Sequence, residues 1–250
     1  MKALRENLLK VKYEQGILHK FYFRQAQNIH KKLVYPEANY YLKPNDIISY
    51  RPTLFGYHEP HLENLFNAVS DTSSDFFLNI GANIGLSTIL VGSRFDEIHC
   101  VEPNSLLVKI LDVNIEIAGL SNKAQIHGIG LGVEDKIEKL YVPRDNFGGA
   151  FIAQNNSYDG TNDNLERDLS QYIVQDIELK EAQFWLSQLF ASNSGWKNGV
   201  IKIDVEGFEL PIFKAILEVL PSNMTVTIIM ENFLKSLSLD DFKPETHTIQ

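Results

Sequence analysis

The stretch FFLNIGANIGLST, residues 76–88, decides the fold. Its first five residues form a short apolar run, which reads as a strand buried on both faces. Gly81 follows at once. A glycine there allows backbone dihedrals that other residues resist and lets a ligand approach the main chain. Gly85 lets the next element, a helix predicted over 84–94, begin close to the sheet. The first turn of that helix offers unpaired N–H groups to an anionic or polar ligand group, and Ser87 and Thr88 add hydroxyls beside them.

Outward from this unit, short apolar runs keep alternating with helical patterns. EIHCV (97–101) reads as a strand, 104–118 as a helix, AQIHGI (124–129) as a strand and 136–142 as a further short one. VIKID (200–204) is a strong strand, about 209–219 a helix, and 224–230, around TVTIIM, a last strand. This order predicts an α/β fold: a doubly wound, mostly parallel sheet with right-handed crossovers, binding its ligands outside the carboxyl ends of the strands. Residues 154–168 are polar and turn-rich and read as an exposed loop. The chain divides into an N-terminal helical and irregular extension (1–70) and the sheet domain (71–250).

Composition bounds the rest. The 250 residues suit one large α/β domain with an extension. Formal net charge is −9, with +6 in residues 1–35 and −15 in the remainder. So acidic a chain is a poor nucleic-acid binder, and no nucleic-acid partner is expected. Leu4, Leu8, Val11, Leu18, Phe21, Ile29 and Leu33 recur at helical spacing over 3–34. That basic amphipathic segment is expected to pack on the domain or on a second subunit, as in a homodimer; a membrane-surface or nucleic-acid role is the lesser alternative. No apolar run is long enough to span a bilayer. Cys100, the single cysteine, sits in the apolar run IHCVEP and reads as a buried core thiol. Without an intramolecular disulfide, the expected compartment is the cytoplasm.

Seventeen residues beyond Gly85 stands Glu102, at the end of the second strand. A carboxylate there is placed to accept hydrogen bonds from both ribose hydroxyls of an adenosine. A dinucleotide fingerprint would need G-x-G-x-x-G, but Asn83 and Leu86 occupy its second and third glycine positions. Asn83 keeps the left-handed turn available, while its side chain obstructs a pyrophosphate. No Gly-Lys-Ser/Thr follows, which disposes of a phosphate-binding P-loop.

NIGANIGLST, VEPN, LDVNIEIAGLSNKAQIHGIGLG, NFGGAF and above all IKIDVEGFELPIFKAI, in this order, resemble the FkbM-type methyltransferases over roughly 75–235, with a weaker echo in FGYHEPHLENLF (55–66). The resemblance implies an S-adenosylmethionine (SAM)-dependent O-methyltransferase on the Rossmann-like class I methyltransferase fold, acting on a hydroxyl of a sugar, glycan or secondary metabolite. It implies that Gly81, Asn83 and Gly85 line the methionine part of SAM, that Glu102 binds the ribose, and that His127 and Gly128 lie near the adenine. One position departs from the family pattern: Asn79 stands where an aspartate is usual. An amide brings no negative charge towards the SAM ammonium, so cofactor binding is expected to weaken by about 1–2 kcal/mol. A non-catalytic SAM-binding or scaffolding protein is the alternative. Such sheets continue with two more strands, whereas about twenty residues follow TVTIIM, so either the sheet ends early or the chain is truncated at its C-terminus.

Chemistry points to IKIDVEGFE. Alternation along a strand puts Lys202 and Asp204 on one face, with Asp204 at the carboxyl edge of the sheet. Methyl transfer to a hydroxyl needs alignment and a proton acceptor. Asp204 is the first candidate base, Glu206 the second, and Lys202 an orienting partner; the alternative has Asp204 and Glu206 hold the SAM ammonium or cap the next helix. An oxygen-rich metal site from Asp204, Glu231 and Asn232 is a minor alternative, and no metal is expected. His58, His61 and His127 lack ligand spacing, and core packing is expected for Trp185 and Trp196.

Overall fold

The computed structural model describes residues 75–152 and 169–230, together with positions 21, 24, 25, 40–43, 46, 48, 49 and 52. Most of the predicted N-terminal helices, the loop 154–168, His58, His61, Glu231 and Asn232 lie outside the described residues.

Among the described residues, five strands build the central sheet: β1 (Phe76–Ile80), β2 (Glu97–Val101), β3 (Ala124–His127), β8 (Asn198–Ile203) and β9 (Thr225–Met230). Their spatial order is β3-β2-β1-β8-β9 and every pairing is parallel. The chain winds outward from β1 to β3, then returns to lay β8 against the other side of β1. That reversal opens a crevice at the carboxyl ends of β1 and β8, where doubly wound sheets bind ligands.

Helices cover both faces. Helices α1 (Leu86–Val91) and α2 (Ser105–Ile117) lie on one, and α3 (Ala182–Ser192) and α4 (Glu209–Val219) on the other. Strand alternation divides the core accordingly. Phe77, Ile98, Cys100 and Val200 pack with Val91, Leu111 and Ile115. Phe76, Leu78, Ile80, Ile201 and Ile203 pack with Leu186, Phe190, Ile212 and Ile216. With both faces covered, these strands are mostly apolar, and their sequences read as near-continuous runs interrupted by the buried Asn79, His99 and Lys202.

A second sheet was not foreseen. It comprises β4 (Gly130–Gly132), β5 (Lys136–Pro143), β6 (Phe151–Ile152) and β7 (Tyr172–Glu181), in the order β4-β7-β5-β6. The β5–β6 and β5–β7 pairings are antiparallel. Its inner face presents Leu140, Val142, Ile177 and Leu179, while Ile137, Val174 and the Lys139–Asp176 pair face outward. The predicted strand 124–129 therefore stops at His127, and the chain crosses into this sheet at Gly130. The helix expected from residue 84 starts at Leu86 because Gly85 adopts φ 86°, a left-handed entry no helical residue can have.

Candidate active site

The carboxyl ends of β1, β2 and β8 meet the second sheet around a cleft of about 450 Å³, within the range of small-molecule sites. The turn after β1 forms its floor. The N–H groups of Gly81 and Ala82 both donate to Val101 O, at 2.9 and 3.0 Å, and the Asp204 N–H donates to Ile80 O at 2.9 Å. These bonds lock the turn between β2 and β8.

The two glycines serve packing more than ligand access. Gly81 has φ 82°, and a Cβ there would stand 1.8 Å from the Asp204 carbonyl oxygen. Gly85 faces α2, where a Cβ would meet Leu111 Cδ1 at 2.5 Å. Asn83 takes the left-handed conformation expected of it, at φ 53°.

Glu102 is buried at the end of β2 and lines the cleft. Its Oε2 accepts the Asn83 N–H at 2.8 Å and its Oε1 accepts the Asn104 N–H at 2.9 Å. Each oxygen keeps a second lone pair for a ligand hydroxyl. Burial pushes its carboxyl up to about 7, against the pull of those two bonds and with a further push from Asp204.

Across the cleft, the end of β8 brings Lys202 and the loop after it brings Asp204 and Glu206 to the wall. Lys202, 5% exposed, is ion-paired through Nζ with Asp204 Oδ2. Desolvation first, then the charges of Asp204 and Glu209, raise Glu206 to about 7. Three carboxylates against one lysine leave the cleft negative. Among the described residues no cluster of three or more His, Cys, Asp or Glu is placed to hold a metal ion.

Several expected site residues stand elsewhere. Asn79 does not line the cleft: strand alternation turns it with Phe77 under α1, where its Nδ2 donates to Thr88 Oγ1 at 2.9 Å. A direct approach to a ligand ammonium does not fit that placement. His127 also lies off the cleft, with its Nε2 3.0 Å from His99 Nδ1 and Trp185 edge-on at 5.0 Å between centroids. Gly128 is off it too, and the wall near the third strand is made by Gly130 and Leu131.

Other residues of the site were not singled out from sequence. NFGGAF, quoted above only for the resemblance, forms a cleft wall, and Gly148 comes so close that a Cβ would stand 2.5 Å from Asn83 Nδ2. Buried Asp46 holds this wall by accepting the Phe147 N–H at 2.8 Å, and Lys43 lies 4.2 Å over the Phe147 ring. Asn114 ties the same N-terminal segment to the glycine turn: its Nδ2 donates to Tyr41 O at 3.1 Å and to Ile84 O at 2.7 Å. A fully buried asparagine on the apolar face of a predicted helix was the one signal available for it.

Among solved structures, the chain is similar to a precorrin 8w decarboxylase of Methanobacterium thermoautotrophicum, at 10% identity and a TM-score of 0.38, over 68% of this chain and 61% of that one. It is similar to an O-methyltransferase from Bacillus cereus in complex with SAH, at 13% identity and 0.38, over 87% and 67%. It is similar to a SAM-dependent methyltransferase from Agrobacterium tumefaciens, at 13% identity and 0.37, over 69% and 44%. No curated protein matches the chain. The family is given by sequence: the model described as Methyltransferase FkbM domain matches residues 79–242. The chain belongs to the FkbM methyltransferase family.

Proposed function

We propose that the protein is a SAM-dependent O-methyltransferase acting on a hydroxyl of a sugar, glycan or secondary metabolite. The observation that carries this reading is the chemistry of the cleft. A buried carboxylate, Glu102, offers free lone pairs to hydroxyl donors, opposite an acidic wall that suits a ligand of net positive charge. SAM, when bound, supplies a methyl group activated on a sulfonium. Glu102 would hold the ribose hydroxyls, the turn from Gly81 to Asn83 the methionine part, and the wall at Gly130 and Leu131 the adenine, while Gly85 faces α2 and does not line the cleft.

Asp204 and Glu206 then divide the remaining work. Asp204 already engages one cation, Lys202, and is the carboxylate suited to face the cofactor's positive charge. Glu206 lines the same wall, and its carboxyl near 7 suits a group that must take a hydroxyl proton at neutral pH. Glu206 is accordingly the proton acceptor, ahead of Asp204.

Calorimetric titration with SAM and with S-adenosylhomocysteine is the test. Binding of both at roughly micromolar affinity, about 8 kcal/mol, is expected, followed by turnover in a screen of sugar hydroxyls. No binding at millimolar concentration would overturn the cofactor; binding without turnover of any hydroxyl would favour the non-catalytic alternative.

A further inference from the structure

Asn79 and Lys202 are register partners on the neighbouring parallel strands β1 and β8. Side chains of such partners leave the same face of the sheet, on strands about 4.8 Å apart. Both are buried, at 1% and 5% exposure. Asn79 donates its amide to Thr88 Oγ1, while its Oδ1 accepts nothing among the described residues. A buried amide oxygen without a donor is rare in folded proteins. Its register partner Lys202 carries three donors on its ammonium, which is paired with Asp204 at the cleft edge. An orphaned acceptor and a buried cation thus belong to paired residues on one face of the sheet, with a carboxylate within the lysine's reach.

We propose that Asn79 is a positioning residue, its Oδ1 the second seat of the Lys202 ammonium: Lys202 neutralises Asp204 in the resting cleft and turns to Asn79 when Asp204 takes a cationic group of the ligand. This rests on the reading of Asp204 as the carboxylate facing the cofactor's charge. A neutral amide suits such a seat. An aspartate at 79 would hold the ammonium there permanently, and an apolar residue would leave it only Asp204. On the cleft side the charged groups are Asp204, Glu206, Glu209 and Glu102; on the α1 side Asn79 meets Thr88, itself 3.4 Å from the Cys100 thiol. Lys202 therefore competes with the ligand for Asp204, a role opposite in sign to orienting a base.

The test compares the full-length wild type, Asn79→Asp, Lys202→Met and the double variant, by thermal melting without ligand and by calorimetry with S-adenosylhomocysteine, which keeps the ammonium of SAM. Without ligand at pH 8, Asn79→Asp is expected to raise the melting midpoint by roughly 3 °C, and the gain should vanish or reverse in the Lys202→Met background. No gain, an equal gain in both backgrounds, or an Asn79→Asp chain that does not fold would each mean that Lys202 does not reach position 79, and would overturn the proposal. With S-adenosylhomocysteine, Asn79→Asp and Lys202→Met should each tighten binding about fivefold by removing the competitor. Unchanged or weaker binding in Lys202→Met would show that the lysine supports the ligand, and the hand-over would fall. If the wild type binds no S-adenosylhomocysteine, the cofactor reading and the hand-over fall together, while the melts still decide whether Asn79 seats Lys202. The two failures are thereby told apart.

Discussion

Besides the Cys100 thiol, strand β2 and the residue that follows it hold two buried ionisable groups, His99 in the middle of the strand and Glu102 just past its end, and their surroundings treat them in opposite ways. His99 meets His127 nitrogen to nitrogen at 3.0 Å, with the rings stacked at 5.3 Å and Trp196 edge-on to His99. Burial pushes both imidazoles down to about 4, so at neutral pH the pair is uncharged and its shared hydrogen bond is satisfied. Glu97 lies 3.8 Å from His99 Nε2, yet a neutral ring makes no ion pair with it. Glu102 is instead held at about 7, half-charged at neutral pH. Inside the sheet a titratable group is made inert, whereas at the carboxyl edge it is kept poised. Perturbed groups that mark a site are those left balanced between states, beyond being merely buried.

The largest effect should come from the poised end. Glu206→Gln removes the proposed proton acceptor with little change in shape, and turnover is expected to fall on the order of 10²–10⁴-fold with cofactor affinity kept. In the wild type at saturating SAM, which takes the Glu102 titration out of the profile, kcat/KM for the acceptor should rise with pH up to about 7 and then level, because Glu206 must be deprotonated to act. That limb should disappear in the variant. Wild-type activity in Glu206→Gln would return the role to Asp204.

Glu102→Ala is expected to weaken S-adenosylhomocysteine binding on the order of 100-fold, since it removes a charged acceptor and strands the Asn83 and Asn104 N–H groups. The wild type should also bind more weakly as pH falls from 8 to 6, by up to about tenfold. The ligand hydroxyls need the carboxylate, and below about 7 the free protein holds it protonated. Titrations at both pH values check the sign; affinity independent of pH would mean that Glu102 takes no ribose.

How much of this could be read from sequence follows from burial. FFLNI, EIHCV and TVTIIM announced themselves because strands of a sheet with helices on both faces are near-continuous in apolar residues. The strand YIVQDIELKE (172–181) escaped because only Ile177 and Leu179 of its length are buried and charged residues fill the other face. Its period-2 alternation was there to be found. Gly81 and Gly85 stood out, but the reason for their lack of a Cβ did not: the atoms they must avoid belong to Asp204 and Leu111, remote in sequence. Asn79 was assigned through the family resemblance, whereas strand alternation, equally legible, turns it away from the cleft towards α1. That Lys202 is its neighbour required the β1–β8 register, which no local pattern encodes.

The inert end of the comparison has its own, smaller signature. In the unfolded chain His99 and His127 titrate near 6.5, while in the fold burial holds them neutral to about 4. A depressed folded pKa stabilises the fold above the unfolded value, and that stability is lost as pH falls from about 6.5 towards 4. Glu102 and Glu206 work the other way: their raised carboxyls favour the fold at low pH and cost stability as pH rises towards 7. The two slopes partly cancel between pH 5 and 6.5, so the wild-type melting midpoint should change little there. Glu102→Gln leaves the histidines alone, and its midpoint should fall by a few degrees over the same interval. Replacing His127 by Gln should reverse the slope, since His99 alone then stands against Glu102 and Glu206, which both favour acid. A midpoint that drops steeply in the wild type and is unaltered by Glu102→Gln would mean that the carboxylate is charged throughout, and that both ends of β2 are inert.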